Sequence, residues 1–233
     1  LSVNDCYLTA KAEGLSPSDD VESASTIFYY DTDLGLLSYY NSCYIDNDGY
    51  TAVGETPVVS FFNIAANDTD KYNLCIDGTF WGIDNEGALC RYENVSDSEN
   101  AENMEWSVEE VEYLPVSITA LGYATLYAGV ALEVPENVSA HTIVVDGDEA
   151  LLSKPLDVIP AGCGVVLVVE EELDETTVYE FPVVTDDEVV ENNALRGTVA
   201  STFIEPDVDT AYYTLANLDD VPVFYMAEIV GGK

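Results

Sequence analysis

Acidic turns are the first residues of this chain whose types and spacing suit chemistry. Asp31-Thr32-Asp33-Leu34-Gly35, Asp46-Asn47-Asp48-Gly49 and Asp146-Gly147-Asp148-Glu149 each place two carboxylates two residues apart. A hard cation such as Ca2+ takes several carboxylate and carbonyl oxygens, and turns supply both. Asp31, Asp33, Asp46, Asp48, Asp146 and Asp148 are therefore the candidate metal ligands. No turn among them completes an EF-hand loop, which needs Gly at position six and Glu at position twelve. Asp, Asn and Gly also favour such turns for backbone reasons alone, so a plain turn is the competing expectation.

Nucleophiles and soft-metal ligands are sparse. Cys6, Cys43, Cys75, Cys90 and Cys163 contain no C-x-x-C pair, and His141 is the only imidazole, so no zinc site is expected. The cysteines suit either buried thiols or one or two disulfides, with no base beside them to activate a thiolate. No G-x-S-x-G elbow exists to pair with His141, which reads as an ordinary strand histidine. A glycosidase needs two carboxylates across a cleft, and among 45 acids such a pair carries no information. No enzyme, no catalytic residue and no cofactor are expected, with Ca2+ the one candidate ion.

Aromatic residues offer a different chemistry, that of flat faces presented to sugars or proteins. Phe80, Trp81, Tyr39 and Tyr40 form the candidate ligand platform, with Tyr29, Tyr30, Tyr44 and Tyr50 in neighbouring turns. The alternative is structural: adjacent tyrosines alternate between core and outer face, their hydroxyls reaching water.

Charge decides what the surface can meet. With 45 Asp plus Glu against 6 Lys plus Arg, the net charge is −39, which repels nucleic acid phosphates and anionic lipids. Nucleic acid is excluded as a partner, and no basic stripe exists to overturn that. Self-repulsion at this charge calls for screening salt or bound cations. Yet 48% of the residues are hydrophobic, with 16 Tyr and 7 Phe, so the chain is expected to fold. No apolar run approaches the roughly 18 residues that a membrane helix needs, and no membrane insertion is expected.

The elements that must position these residues are strands. Short apolar runs alternate with turn clusters through residues 1–105, and the simplest topology is a β-meander or trefoil-like domain. Residues 93–105 turn polar and acidic, with little to bury, which predicts a long loop at a domain boundary. Residues 106–233 begin a fresh set of strands punctuated by Pro115, Pro135, Pro160, Pro182, Pro206 and Pro222, which predicts a β-sandwich. The expected class is all-β, with two antiparallel domains.

Within this second half, Trp106-Ser107-Val108-Glu109-Glu110-Val111, Leu114-Pro115-Val116-Ser117-Ile118 and Gly122-Tyr123-Ala124-Thr125-Leu126-Tyr127 follow one another at regular spacing. Val134-Pro135-Glu136-Asn137-Val138, Ile159-Pro160-Ala161-Gly162-Cys163-Gly164, Asn192-Asn193-Ala194-Leu195-Arg196-Gly197-Thr198 and Tyr213-Thr214-Leu215-Ala216 continue the series. In this order they resemble the C-terminal module of large secreted surface proteins of Bacteroidetes. The resemblance implies an extracellular or cell-surface β module without catalysis, of the kind appended to adhesins or glycan-active proteins. It carries over no active site. Such modules end with a further strand after the one that Val223 to Met226 resembles, so this sheet is expected to be one strand short. The first half resembles, more weakly, the trefoil-like segments that precede these modules.

Asn67, Asn94 and Asn137 open N-x-[S/T] acceptor patterns, and Asp209-Thr210-Ala211 resembles the O-glycosylation motif of Bacteroidetes, with Thr210 as acceptor. The Leu1 start and the Lys233 end are those expected of a processed or excised product. Together these features predict a non-catalytic extracellular structural or adhesion protein whose partner is itself, as a homo-oligomer or a filament built by strand pairing. The alternative is a carbohydrate-binding module of a larger cell-surface protein, meeting a glycan or host surface through Trp81 and its neighbours.

Overall fold

The computed structural model describes residues 1–3, 6–11, 14–18, 26–31, 35–39, 44–46, 49–51, 59–65, 68–94, 101–147, 149–185, 189–199, 213–218 and 221–226. It is all-β with antiparallel sheets, and it divides into two compact units, Leu1–Val111 and Glu112–Lys233.

The N-terminal unit contains β1 (Ser2–Val3), β2 (Cys6–Lys11), β3 (Gly14–Ser18), β4 (Phe28–Asp31), β5 (Gly35–Ser38) and β6 (Tyr44–Asp46). It continues with β7 (Gly49–Thr51), β8 (Val59–Ala65), β9 (Asp68–Ile76), β10 (Thr79–Ile83), β11 (Leu89–Tyr92) and β12 (Trp106–Ser107). Strands β4 to β7 form a four-stranded meander, and β8 to β11 run as a second meander inside a larger sheet. The larger sheet is not a simple meander. Strand β12 follows β11 in the chain but inserts between β9 and β1, pairing Trp106 with Tyr72 and Ser107 with both Lys71 and Ser2. Those pairs move the boundary expected at 105/106 to Val111/Glu112, because Trp106 and Ser107 belong to the first unit's sheet.

Alternation sorts the side chains of β9 to β12 onto two faces. On one face Leu74, Ile76, Trp81, Ile83 and Trp106 join Leu8, Leu36 and Ile45 in a single fully buried cluster. Each such side chain contributes on the order of 1.5–3 kcal/mol by leaving water. The other face carries Asn73, Cys75, Phe80, Gly82, Cys90 and Tyr92 by register. A short 3-10 helix, Glu102–Met104, lies over it. Asn73 donates from Nδ2 to the Met104 carbonyl at 2.9 Å, and a Cβ on Gly82 would stand 2.2 Å from the Asn103 carbonyl oxygen. This corrects the reading of 93–105 as a segment with little to bury, since both Asn103 and Met104 are buried.

The C-terminal unit contains β13 (Tyr113–Ile118), β14 (Tyr123–Leu126), β15 (Ala131–Glu133), β16 (Ser139–His141), β17 (Ile143–Asp146) and β18 (Glu149–Leu152). It continues with β19 (Val158–Ile159), β20 (Val165–Val168), β21 (Thr177–Val184), β22 (Tyr213–Leu218) and β23 (Val221–Met226). One sheet has the order β13-β21-β15-β19 and another β14-β20-β16, a sandwich-like pair of layers. Leu114, Val116, Ile118, Leu132, Ile159 and Phe181 are buried in the first sheet, and Leu126, Ala140, Val165 and Leu167 in the second. Strand β20 buries Val165, Val166 and Leu167 in succession, as a central strand does when both its faces are covered.

Two hairpins stand apart from these layers: β17 pairs with β18, and β22 with β23. The expectation of a missing strand beyond Met226 lies outside the described residues.

Candidate functional site

Among the described residues the expected aromatic platform does not assemble. Trp81 is fully buried in the core cluster, and the Arg91 guanidinium lies 5.1 Å from its ring centroid. Trp81 and Arg91 are directly paired neighbours on β10 and β11, which puts them on the same face. A ring enclosed this way offers no face to a sugar. Phe80 is half-buried on the opposite face, Tyr39 is half-buried with burial pushing its phenol pKa up, and Tyr40 lies outside the described residues.

Two of the acidic turns close the same end of the β4–β7 meander, and the third lies in the C-terminal unit. Asp31 pairs with Gly35 at the end of β4, Asp46 with Gly49 at the end of β6, and Asp146 with Glu149 at the tip of β17–β18. Asp33, Asp48 and Asp148 lie outside the described residues. Among the described residues no three His, Cys, Asp or Glu side chains converge on one point. Of the glycan acceptors, Asn94 and Asn137 are exposed, Asn137 in the turn between β15 and β16, while Asn67 and Thr210 lie outside the described residues.

Polar side chains that do have partners serve the backbone. Asp84 accepts from the amides of Ala88 at 2.8 Å and Glu86 at 2.9 Å, and the Cys90 thiol donates to it at 3.4 Å. Those donors, with the Ala88 amide foremost, hold the Asp84 pKa below its ordinary value. Burial and then the Asp84 carboxylate push the Cys90 thiol up, the reverse of what a nucleophile needs. His141 donates from Nδ1 to the Ser153 carbonyl at 2.8 Å, tying β16 to the residue after β18.

Cys75, Cys90 and Cys163 are free thiols. Strand β10 lies between β9, which carries Cys75, and β11, which carries Cys90, so about 10 Å separates the two strands. That exceeds the roughly 7 Å Cα limit for a bridge, which removes the Cys75–Cys90 disulfide from the possible pairings.

Among the described residues, two surfaces gather apolar side chains. One is an apolar cleft of about 280 Å³ in the N-terminal unit, bordered by Phe28, Tyr30, Leu36, Tyr72, Val108 and Val111, with Glu109 at its wall. It falls just short of the roughly 300–1,000 Å³ of ordinary ligand sites.

The other is the β17–β18 hairpin. Val144, Val145, Leu151 and Leu152 are 37%, 60%, 47% and 49% exposed, so apolar side chains face water on both sides of the ribbon. The two-residue turn fixes which backbone groups point where. Thr142 accepts from the Ser153 amide at 2.9 Å, so residues 142, 144 and 146 bond inward to β18 while 143 and 145 turn outward. At Ile143 the outward groups are met: its amide donates to Asn193 Oδ1 at 3.3 Å, and its carbonyl accepts from the Ala194 amide at 2.8 Å. Asn193 in turn donates from Nδ2 to the Gly164 carbonyl at 2.8 Å, which anchors that strap to the sandwich. On β18 the outward groups belong to Ala150 and Leu152, and no strand pairs with them among the described residues.

Edge strand β13 shows the contrast. Val183 donates to the Glu112 carbonyl, so residues 113, 115 and 117 turn outward, and Pro115 stands where its missing N–H blunts the edge. Strand β18 has no such guard.

Sequence reasoning placed the Asp146-Gly147 turn and a strand through Val145 but missed β18. Ile-Val-Val-Asp-Gly-Asp-Glu-Ala-Leu-Leu, an Asp-Gly turn between two aliphatic runs, was the available signal.

No protein-family model, no curated protein and no solved structure matches the chain.

Proposed function

We propose that this is a non-catalytic structural or adhesion protein of the cell surface that associates with its own copies by β-strand pairing. The observation that supports it is the β17–β18 hairpin, an apolar ribbon exposed on both faces with an unguarded outer strand. A two-stranded ribbon is marginal alone, and a strand added at its edge by another chain completes it. A second copy suits the charge pattern. The acids Asp146 and Glu149 sit at the hairpin tip, while Lys154, one of only 6 cations, is exposed just past its base. Antiparallel copies therefore bring tip acids beside a base cation. The resemblance of the second half to secreted surface modules supports the location.

The carbohydrate-binding reading has less behind it, because Trp81 is enclosed and the cleft is small for a glycan. Native mass measurement and electron microscopy at rising concentration test the proposal. Assemblies are expected, and a monodisperse monomer at high concentration and physiological salt sinks it.

A further inference from the structure

Resting on that reading, we infer that association is a closed two-fold pairing of β18 with β18 of a second copy, in one register, with Leu151 on the axis. Only residues whose backbone groups turn outward can bond across the new edge, and on β18 these are Ala150 and Leu152. Two-fold antiparallel pairing then sets Ala150 of one copy opposite Leu152 of the other, and Leu151 opposite its own equivalent.

Neighbouring registers are worse. Shifting so that Ala150 meets its own equivalent sets Glu149 against Leu151 of the second copy. Shifting so that Leu152 meets its own equivalent moves Ala150 and Leu151 past the apolar run. In the chosen register Glu149 faces Ser153, and the two Glu149 carboxylates lie about 14 Å apart along the strands, beyond the roughly 8 Å screening length at physiological salt.

Side chains complete continuous rows on both faces of the resulting four-stranded sheet. On one face Val144 and Leu151 meet Leu151 and Val144 of the second copy. On the other Val145 and Ala150 meet Leu152 and Ile143 of the second copy. The intramolecular halves of these rows are the observed pairs Val144↔Leu151, Val145↔Ala150 and Ile143↔Leu152. Each Lys154 comes to lie beside the acidic tip of the other hairpin.

Closure follows from the strap. An open filament through this hairpin would need both edges, but Asn193 and Ala194 occupy the outer groups of β17 at Ile143. Pairing β18 with its own equivalent is isologous, so this contact stops at two copies.

The test uses sedimentation of the full chain and three variants at matched salt. The unaltered chain is expected to show a monomer–dimer equilibrium. Ala150→Pro removes an outward N–H without touching the hairpin's inner ladder, and two-fold symmetry doubles the loss, so dimer affinity is expected to fall at least about tenfold. Under mild oxidation Leu151→Cys is expected to yield a cross-linked dimer through the introduced thiol, since directly opposed non-bonded residues lie about 4.5 Å apart at Cα. Leu152→Cys is expected not to. Circular dichroism confirms that each variant is folded.

A dimer that persists in Ala150→Pro, with no cross-link at 151, overturns this register while leaving self-association standing. Filaments formed by the unaltered chain overturn closure at two copies and leave the broader proposal intact. A monomer under all conditions overturns both.

Discussion

The Trp106 indole Nε1 donates a 2.7 Å hydrogen bond to the Trp81 carbonyl, and both residues are fully buried. Strand β9 pairs with β10 up to Leu74↔Trp81 and with β12 from Tyr72↔Trp106, so this bond spans the handover between two neighbours on one edge. It joins the beginning of the polar 93–105 region's exit to the core, and it explains why β12 stays with the first unit.

Trp106→Phe keeps an aromatic ring but leaves the Trp81 carbonyl without that donor. A loss of about 2–4 kcal/mol is expected from the missing bond and the smaller ring. Urea unfolding followed by circular dichroism measures it, and a change below about 0.5 kcal/mol contradicts the role assigned to the bond.

Gly82→Ala introduces a Cβ at 2.2 Å from the Asn103 carbonyl oxygen, a backbone atom with little freedom to retreat. The 3-10 turn over Glu102–Met104 must lift, at a cost of roughly 1–3 kcal/mol. Amide exchange is the sensitive readout: protection at Asn103 and Met104 is expected to fall while that of β13 stays unchanged. Equal protection in both proteins removes the close-packing account.

Asp84 supplies a pH dependence with a definite sign. Its folded pKa lies below the ordinary 3.8, so the unfolded carboxylate protonates first as pH falls. The stabilisation is complete above that ordinary value, declines below it, and is gone once pH passes beneath the folded pKa. Melting temperatures of the natural chain and Asp84→Asn are expected to differ at pH 6 and to converge toward pH 2. A gap that is constant with pH rules out the carboxylate as its source.

Net charge makes stability a function of ionic strength. Raising NaCl from about 0.01 to 0.15 M shortens the screening length from roughly 30 to 8 Å, and the melting temperature of a −39 chain is expected to rise. Calcium at matched ionic strength separates screening from ligation. A further rise that Asp46→Asn and Asp146→Asn abolish marks the acidic turns as ligands, and identical curves mark them as turns only.

Local patterns revealed much of the fold. The apolar run from Thr79 to Ile83 and the Asp77-Gly78 turn locate β10 and the last five residues of β9, because hairpin turns between apolar runs are written into adjacent residues. The pairing of Ser2 with Ser107 is invisible to that logic, since nothing near either serine specifies a partner so distant in sequence. The enclosure of Trp81 is illegible for a related reason. Two aromatic neighbours on a strand face opposite ways, and which one is enclosed depends on what Arg91 and Trp106 bring from other strands. The hairpin surface was half legible: Asp146-Gly147 marked the bend, but exposure of Leu151 and Leu152 depends on what the rest of the unit leaves uncovered.

The Ser2↔Ser107 pair has a consequence for synthesis. A ribosome delivers β2, one of the two neighbours of β1, directly after it, yet the other neighbour does not exist until Ser107 has left the exit tunnel. The first unit therefore cannot lock its largest sheet while it is being translated. It must hold Leu8, Leu36 and Ile45 in a provisional state for nearly its whole emergence, with chaperone handling most needed in that interval and a ligated or circularised version of the unit folding faster than the linear one.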